Sequence, residues 1–173
     1  MIVFETARLV VRQLTAADHE RFFLLNGDPV VMRFIRPVKT REESDAALEE
    51  MLAAGEPEEG GRWMVEEKGS GNFVGTFAII PLPYDTTKIQ LGYALIPAQW
   101  GKGYATELTK AGLDYYWEQT SREEIFAVTE TPNLPSQKVL LNAGFHLLLK
   151  RDLDGKPILV YSVKRPVSGI PGK

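Results

Sequence analysis

The residue types and spacing best suited to chemistry lie in one stretch, Gln99-Trp100-Gly101-Lys102-Gly103-Tyr104-Ala105-Thr106-Glu107. An apolar strand-like run, Ile89 to Leu95, leads into it, and a helical pattern, Ala105 to Gln119, leads out. Glycine lacks a Cβ, so a Gly-x-Gly turn can bend tightly and let a ligand approach the backbone. The first amides of a helix have no partner inside it and carry the positive end of its dipole. Strand, glycine turn and helix start together make a cradle for a phosphate or diphosphate. The nonapeptide alone also admits a plainer reading, a tight turn with no ligand. Two better-known phosphate motifs are excluded. A P-loop needs Gly-Lys-Ser/Thr, but Lys102 is followed by Gly103. A dinucleotide fingerprint needs a third Gly or Ala where Thr106 stands.

Composition narrows the chemistry around this stretch. The 173 residues suit one domain with a real core, and a net charge of −3 argues against nucleic acid as the main partner. The absence of cysteine removes disulfides, thiolate metal sites and a cysteine nucleophile together. His19 and His146 lie far apart without metal-ligand spacing, so no metal is expected. No apolar run approaches the ~20 residues of a membrane span. Glu5 and Arg8 stand where a secretory signal would be apolar, so a cytoplasmic location is the default expectation.

The elements that must position the stretch can be read in order. Val3 to Leu14 is a strand pattern with Arg8 and Arg12 on one side. Thr15 and Asp18 open a helix with Phe22, Phe23 and Leu25 as its apolar face, and Asp28-Pro29 breaks it. Val30 to Ile35 suits a short helical turn. Thr40 and Glu43 form a capping box for the next helix, and Gly55 is its C-cap. Arg62 to Glu67 and Phe73 to Ile80 are strands joined by a glycine-bearing turn, and Lys88 to Leu95 is the next strand. After the central helix come a strand over Glu124 to Glu130, a short helix with Pro135 in its first turn, and Gly144 as its cap. Phe145 to Leu153 and Pro157 to Lys164 close the chain as a hairpin about Asp154-Gly155. The expected fold is α+β, a single domain over residues 1–164. It has a seven-stranded, mixed, mostly antiparallel sheet and four main helices on both faces, and residues 165–173 are expected to form a loose tail.

This order, with four motifs along it, resembles the GNAT-superfamily N-acetyltransferases, and within them the Rim-type branch that acetylates ribosomal-protein N-termini. The motifs are Thr6-Ala7-Arg8-Leu9-Val10-Val11-Arg12; Asp28-Pro29-Val30-Val31-Met32; Leu91-Gly92-Tyr93-Ala94-Leu95 with Trp100 to Glu107; and Asn133-Leu134-Pro135-Ser136 with Ala143-Gly144-Phe145. The resemblance implies acetyl-CoA as acetyl donor and an amine as acceptor, which can be a protein N-terminus or a small molecule. The family's diphosphate motif, Gln/Arg-x-x-Gly-x-Gly/Ala, falls on Trp100, Gly103 and Ala105, with Trp100 departing from the usual residue. Amides of Gly101, Lys102, Gly103, Tyr104, Ala105 and Thr106 would then hold the diphosphate. The resemblance also implies that the strand ending at Leu95 splays from the one carrying Val128. Pantetheine would pair with Tyr93, Ala94, Leu95 and Ile96 as an added strand.

The implied reaction is direct attack of a neutral amine on a thioester. Gln90 stands where many relatives carry a basic Glu, and Gln accepts no proton usefully. An α-amine of pKa ~7.7–8.0 needs less help than a lysine amine at ~10.4, which favours a low-pKa acceptor. Glu130 and Glu66 are substitute bases, or simply solvated strand-end carboxylates. Ser136 matches a serine that in this branch donates to the departing sulfur, or else it serves the helix start. Asn133 would bond pantetheine or order its turn. The tyrosine acid of many relatives is replaced by Leu140. Phe34, Tyr84 and Gln90 are candidates to line the acceptor pocket, whereas Trp63 and Trp117 suit the core. Arg33, Arg36 and Lys39 could meet an acidic acceptor, the cofactor's 3′-phosphate, or only water. Two other readings stay open: a module that binds acetyl-CoA without catalysis, and a phosphate-binding structural domain. A homodimer is the base-rate expectation for a soluble protein.

Overall fold

The computed structural model describes residues 1–167. One sheet of eight strands carries the fold, in the order β1-β2-β3-β4-β5-β6-β8-β7. The strands are β1 (Ile2–Glu5), β2 (Leu9–Gln13), β3 (Gly61–Glu67), β4 (Phe73–Pro81), β5 (Ile89–Leu95), β6 (Glu124–Glu130), β7 (His146–Leu153) and β8 (Lys156–Lys164). Five α-helices flank it: α1 (His19–Asn26), α2 (Pro29–Met32), α3 (Arg41–Ala54), α4 (Tyr104–Gln119) and α5 (Leu134–Asn142). The expected α+β architecture is present. The strand and helix numbers are each one higher than expected.

The extra strand comes from the opening run. Val3 to Leu14 reads as one strand, but the chain folds back at Thr6-Ala7-Arg8, and β1 pairs antiparallel with β2. The hydroxyl of Thr6 accepts from the amides of Arg8 and Leu9, at 3.2 and 2.9 Å, and so closes the turn from within. The extra helix is the single turn α2, started by the Asp28 carboxylate accepting from the Val30 amide at 2.8 Å. Other local signals act as expected. Thr15 with Asp18 and Thr40 with Glu43 form capping boxes, the first opening on a 3₁₀ turn before α1. Asp154 and Gly155 both take positive φ, 51° and 84°, the geometry of a tight two-residue hairpin. Of the expected tail, residues 168–173 lie outside the described residues. Its first residue, Arg165, is tied down: its guanidinium donates to the carbonyls of Trp117, Thr120 and Arg122.

Alternation along the strands divides the core in two. On one face Trp63, Phe77, Leu91, Leu95, Ile125 and Tyr161 pack beneath α4 and α5. Helix α4 buries Leu108, Thr109, Gly112, Leu113 and Tyr116, one stripe at helical spacing. A Cβ at Gly112 would come within 2.2 Å of the Phe77 ring, so this glycine sets how closely α4 sits on the sheet. On the opposite face Met64, Phe73 and Ala94 meet Leu25, Val31 and Met32 from α1 and α2, and α3 packs on α1.

A charged knot holds α1 to this second face. Arg12 on β2 spans Asp18 and Glu66, with contacts of 2.8 and 2.7 Å, and Arg21 of α1 joins it at Glu66. Burial raises the carboxyls of Asp18 and Glu66. Hydrogen bonds and charge from Arg12, aided by Thr15 at Asp18 and Arg21 at Glu66, outweigh it and hold both below the ordinary range. Glu66 is thereby removed from the candidate bases, since a carboxylate clamped by two guanidiniums is a poor proton acceptor.

Two expectations follow. Arg12→Met leaves the Asp18 carboxylate, only 3% exposed, without its partner, and should cost about 3–5 kcal/mol in denaturant unfolding at pH 7. Because both carboxyl pKa values are depressed on folding, their contribution is present above the ordinary value near about 4 and is lost as pH falls through the folded values. The gap between wild type and variant should therefore narrow in that acid window. Gly112→Ala should cost about 1–3 kcal/mol by pushing α4 off Phe77.

Candidate active site

The two parallel strands β5 and β6 part company almost at once. Their only paired position is Gln90 with Phe126, near their N-terminal ends, so the sheet forks toward Leu95 and Glu130. The exposed side of β5 can be read from its bonds to β4. The Ile96 amide donates to the Val74 carbonyl at 3.0 Å, and alternation then turns the backbone groups of Ala94 and Gly92 toward β4 as well. Tyr93 and Leu95 direct theirs into the fork. Of the expected run Tyr93 to Ile96, then, Tyr93 and Leu95 offer main-chain bonds there, while Ala94 turns its groups to β4 and Ile96 gives its amide to Val74 and its carbonyl to the Gln99 amide.

Beyond β5 a 3₁₀ turn, Pro97–Gln99, leads to the glycine stretch. Gly101 and Gly103 take φ of 75° and 80°, a region that favours glycine. Among the described residues, no protein acceptor takes a bond from the backbone N–H groups of Gly101 through Thr106. The first bond of α4 is made by the Glu107 amide to the Gly103 carbonyl. The run is exposed at Gly101, Lys102 and Gly103 and stands at the open end of the fork. It fits a diphosphate: bare donors in succession, a helix dipole behind them, and space at Gly101, where a Cβ would touch nothing within 4 Å.

The neighbours keep those amides bare. Glu107, the carboxylate of the first helical turn, faces the other way. It accepts from the Thr6 hydroxyl at 2.7 Å and from Arg8 Nε at 2.9 Å, tying the β1–β2 turn to α4. Arg8 thus lies beside the cradle, its guanidinium over the Tyr104 ring at 4.5 Å. Sequence reasoning placed Arg8 on a strand face and missed this role. The only signal for it was the Thr6-Ala7-Arg8 motif. Lys102 Nζ donates to Gln99 Oε1 at 2.7 Å and leaves the amides uncovered. The Trp100 indole N–H donates to the Leu95 carbonyl at 2.8 Å, pinning the turn to the strand end.

On the other arm of the fork, Asn133 caps α5, its side-chain oxygen accepting from the Ser136 amide at 3.3 Å. The Ser136 hydroxyl stands 3.5 Å from the Tyr93 hydroxyl, which donates to it across the fork. Burial raises the Tyr93 phenol above its ordinary value, and the bond to Ser136 lowers it less. This pairing was not legible in the sequence, where Tyr93 figures only through its backbone. Leu140 is buried at 2% exposure in the core beneath α5. Glu130 ends β6 at the mouth of the fork, with Lys156 Nζ 3.7 Å away.

The three residues expected to line an acceptor pocket each have a partner of their own. Phe34 lies under Arg33, Tyr84 is stacked beneath Arg151 at 3.7 Å, and Gln90 donates to the Pro81 carbonyl at 3.3 Å. A cavity of about 240 Å³ opens on the α1–α2 face, between the α2 segment and the β7–β8 turn. Among the described residues no group of three or more His, Asp or Glu side chains is arranged to hold a metal, and no helix is long and apolar enough to cross a membrane.

Known proteins of the same shape bear on this geometry. A Bacillus subtilis protein named as an N-acetyltransferase, YoaA, is 28% identical over 145 residues, 83% of this chain and 82% of that one. A GNAT-family acetyltransferase from Bacillus anthracis superposes with a TM-score of 0.81 at 21% identity, covering 95% of this chain and 98% of the other. RimL, a ribosomal L7/L12 α-N-protein acetyltransferase solved with coenzyme A, superposes at 0.79 with 14% identity and the same coverage. At such identities the two superpositions speak to the fold. The model of the GNAT acetyltransferase domain matches residues 8–146, a span that includes β5, β6, α4 and α5, and hence the whole fork. The chain therefore belongs to the GNAT acetyltransferase family and is an acetyl-CoA-dependent N-acetyltransferase.

Proposed function

We propose that the protein transfers the acetyl group of acetyl-CoA to a primary amine of low pKa, the N-terminus of a peptide or protein or a small-molecule amine, by direct attack on the thioester. The observation that carries this reading is the bare amide run Gly101 to Thr106 at the open end of the β5–β6 fork. Those amides hold the diphosphate, with Arg8 and Lys102 adding positive charge beside them. The outward backbone groups of Tyr93 and Leu95 meet the pantetheine amides as a neighbouring strand would. The Leu95 carbonyl already accepts from Trp100, so the Leu95 amide and both Tyr93 groups remain for that pairing.

In this reading the thioester lies against the Tyr93–Ser136 pair. As the amine nitrogen bonds to the carbonyl carbon, the carbonyl oxygen takes negative charge. When the carbon–sulfur bond breaks, Ser136 donates its proton to the thiolate and takes one along the bond from Tyr93, which regains a proton from solvent. The amine gives up its proton to water ordered by Glu130, the last residue of β6. With Gln90 turned to Pro81 and Glu66 clamped, an acceptor already partly neutral at pH 7.5 suits the site.

Three measurements test this. Acetyl-CoA at saturating concentration should raise the melting temperature by several degrees more than ADP does, because it alone fills both cradle and fork. Equal shifts would leave only a diphosphate site. Ser136→Ala should lower kcat about 10²-fold in a thiol-release assay while acetyl-CoA binding stays within a few-fold. An unchanged kcat removes Ser136 from the chemistry. With an α-amino peptide, kcat/KM should rise with pH and level off near about 8, as the acceptor loses its proton, whereas a lysine-only peptide should still be rising there.

A further inference from the structure

On the face of the sheet covered by α1 and α2, one row of residues runs across three strands to the fork. Arg62 on β3 pairs with Ala78 on β4, and Ala78 pairs with Gly92 on β5. Cross-strand partners point to the same face, so Ala78, covered at 3% exposed, and then Gly92 lie in one row between Arg62 and the fork. A Cβ at Gly92 would meet nothing within 4 Å, so the row is open there. Arg36, from the segment after α2, reaches over the same region. Its one polar partner there is the neutral side-chain oxygen of Asn26, at 3.0 Å. Arg33 and Arg36 line the adjoining cavity, and so does Lys156, which the contact with Glu130 places at the mouth of the fork.

The charges here do not balance. Among the described residues Arg33, Arg36 and Arg62 make no ion pair, although Arg36 and Arg62 are half-buried. Among the described residues Arg62 makes no side-chain hydrogen bond either. Asp28, the carboxylate nearest in sequence, is turned to cap Val30 at 2.8 Å. Glu130 is already matched by Lys156, and Glu66 by Arg12 and Arg21. Burial, with the neighbouring charge of Arg36, pulls the Arg62 guanidinium down to about 10, and burial lowers Arg36 as well. Two half-buried guanidiniums that raise each other's cost and lack a counter-charge are unfavourable, and an arriving carboxylate offsets that with charge-assisted bonds.

We propose that the acceptor-binding face selects an amine that carries a carboxylate, an acidic amino acid or the acidic N-terminal segment of a peptide, with Arg36 and Arg62 receiving the carboxylate and Arg33 and Lys156 drawing it in. This rests on the acetyltransferase reading for the identity of the site, but the charge preference can be measured without turnover. The same arrangement disfavours polyamines and other polycations, whose charge would add to an uncompensated positive set. The face lies across the sheet from α4, so these arginines do not serve a phosphate in the α4 cradle.

The test uses two dipeptides matched in amine and shape, Ala-Glu with both carboxylates free and Ala-Gln with its C-terminus amidated, plus spermidine. In the wild-type protein kcat/KM should be at least about tenfold higher for Ala-Glu than for the neutral dipeptide, and spermidine should be the poorest acceptor. Arg36→Met and Arg62→Met should each shrink that ratio toward one while the KM for acetyl-CoA stays the same. Calorimetry supplies the second arm: N-acetylated Ala-Glu should bind the CoA-loaded wild type at least about tenfold more tightly than its neutral counterpart. Equal or inverted preference in both arms, a preference unchanged in both variants, or no binding of the acidic product would overturn the proposal. Charge-selective binding with no acetyl transfer to any amine would uphold the anion site and sink the catalytic reading. Brisk transfer to spermidine or the neutral dipeptide alone would do the reverse.

Discussion

Backbone donors that the protein never satisfies for itself are the constraint on which the rest depends. A helix that starts at Tyr104 without a side-chain cap, behind two left-handed glycines, presents its amides to whatever stands at the end of β5. Solvent satisfies them when nothing else does, so the exposure costs little. The structure spends several devices on keeping them available. Glu107 is drawn away by Thr6 and Arg8, Lys102 is held by Gln99, and Trp100 locks the turn against Leu95. Each of these contacts would be unremarkable alone. Together they keep the protein's own acidic and carbonyl groups off the helix start.

The second requirement is a sheet that opens at one place and nowhere else. Seven neighbouring pairs connect the eight strands, and six run antiparallel with registers of three or more positions. The parallel pair β5–β6 is joined at one position. Core packing explains how the fork survives. Leu91 and Leu95 on one arm, and Ile125 and Ala127 on the other, belong to the same cluster beneath α4 and α5. The arms are thus held by helices rather than by each other. The opposite face carries the small residues Gly92 and Ala94 on β5, which keep its floor low beside the gap.

Much of this was legible in the sequence because its signals are local. The Gly-x-Gly turn, the two capping boxes and the Asp-Gly hairpin each need only a few adjacent residues, and each acts as its chemistry dictates. What escaped depends on distant partners. The break at Thr6 lies inside an unbroken strand pattern, and its hydroxyl finds Glu107 only after α4 has docked. Nothing in the strand run from Arg62 shows that Ala78 and Gly92 extend its row or that Arg36 crosses above. Glu66 reads as a free carboxylate until β2 and α1 bring two guanidiniums to it. Tyr93 and Ser136 meet because β5 and α5 flank the same gap, although they are 43 residues apart.

The bond between the Trp100 indole and the Leu95 carbonyl also has an optical consequence. Of the three tryptophans, Trp63 is 1% exposed within the aromatic layer beneath α4, and Trp117 is half-buried, with the Arg165 guanidinium over its ring at 5.0 Å. Trp100, at 49% exposed, is the most exposed of the three, and its N–H is anchored to the end of β5. Its fluorescence is therefore a resident reporter of what happens at the tip of that strand, readable by quenching or spectral shift in the unlabelled, unmodified chain.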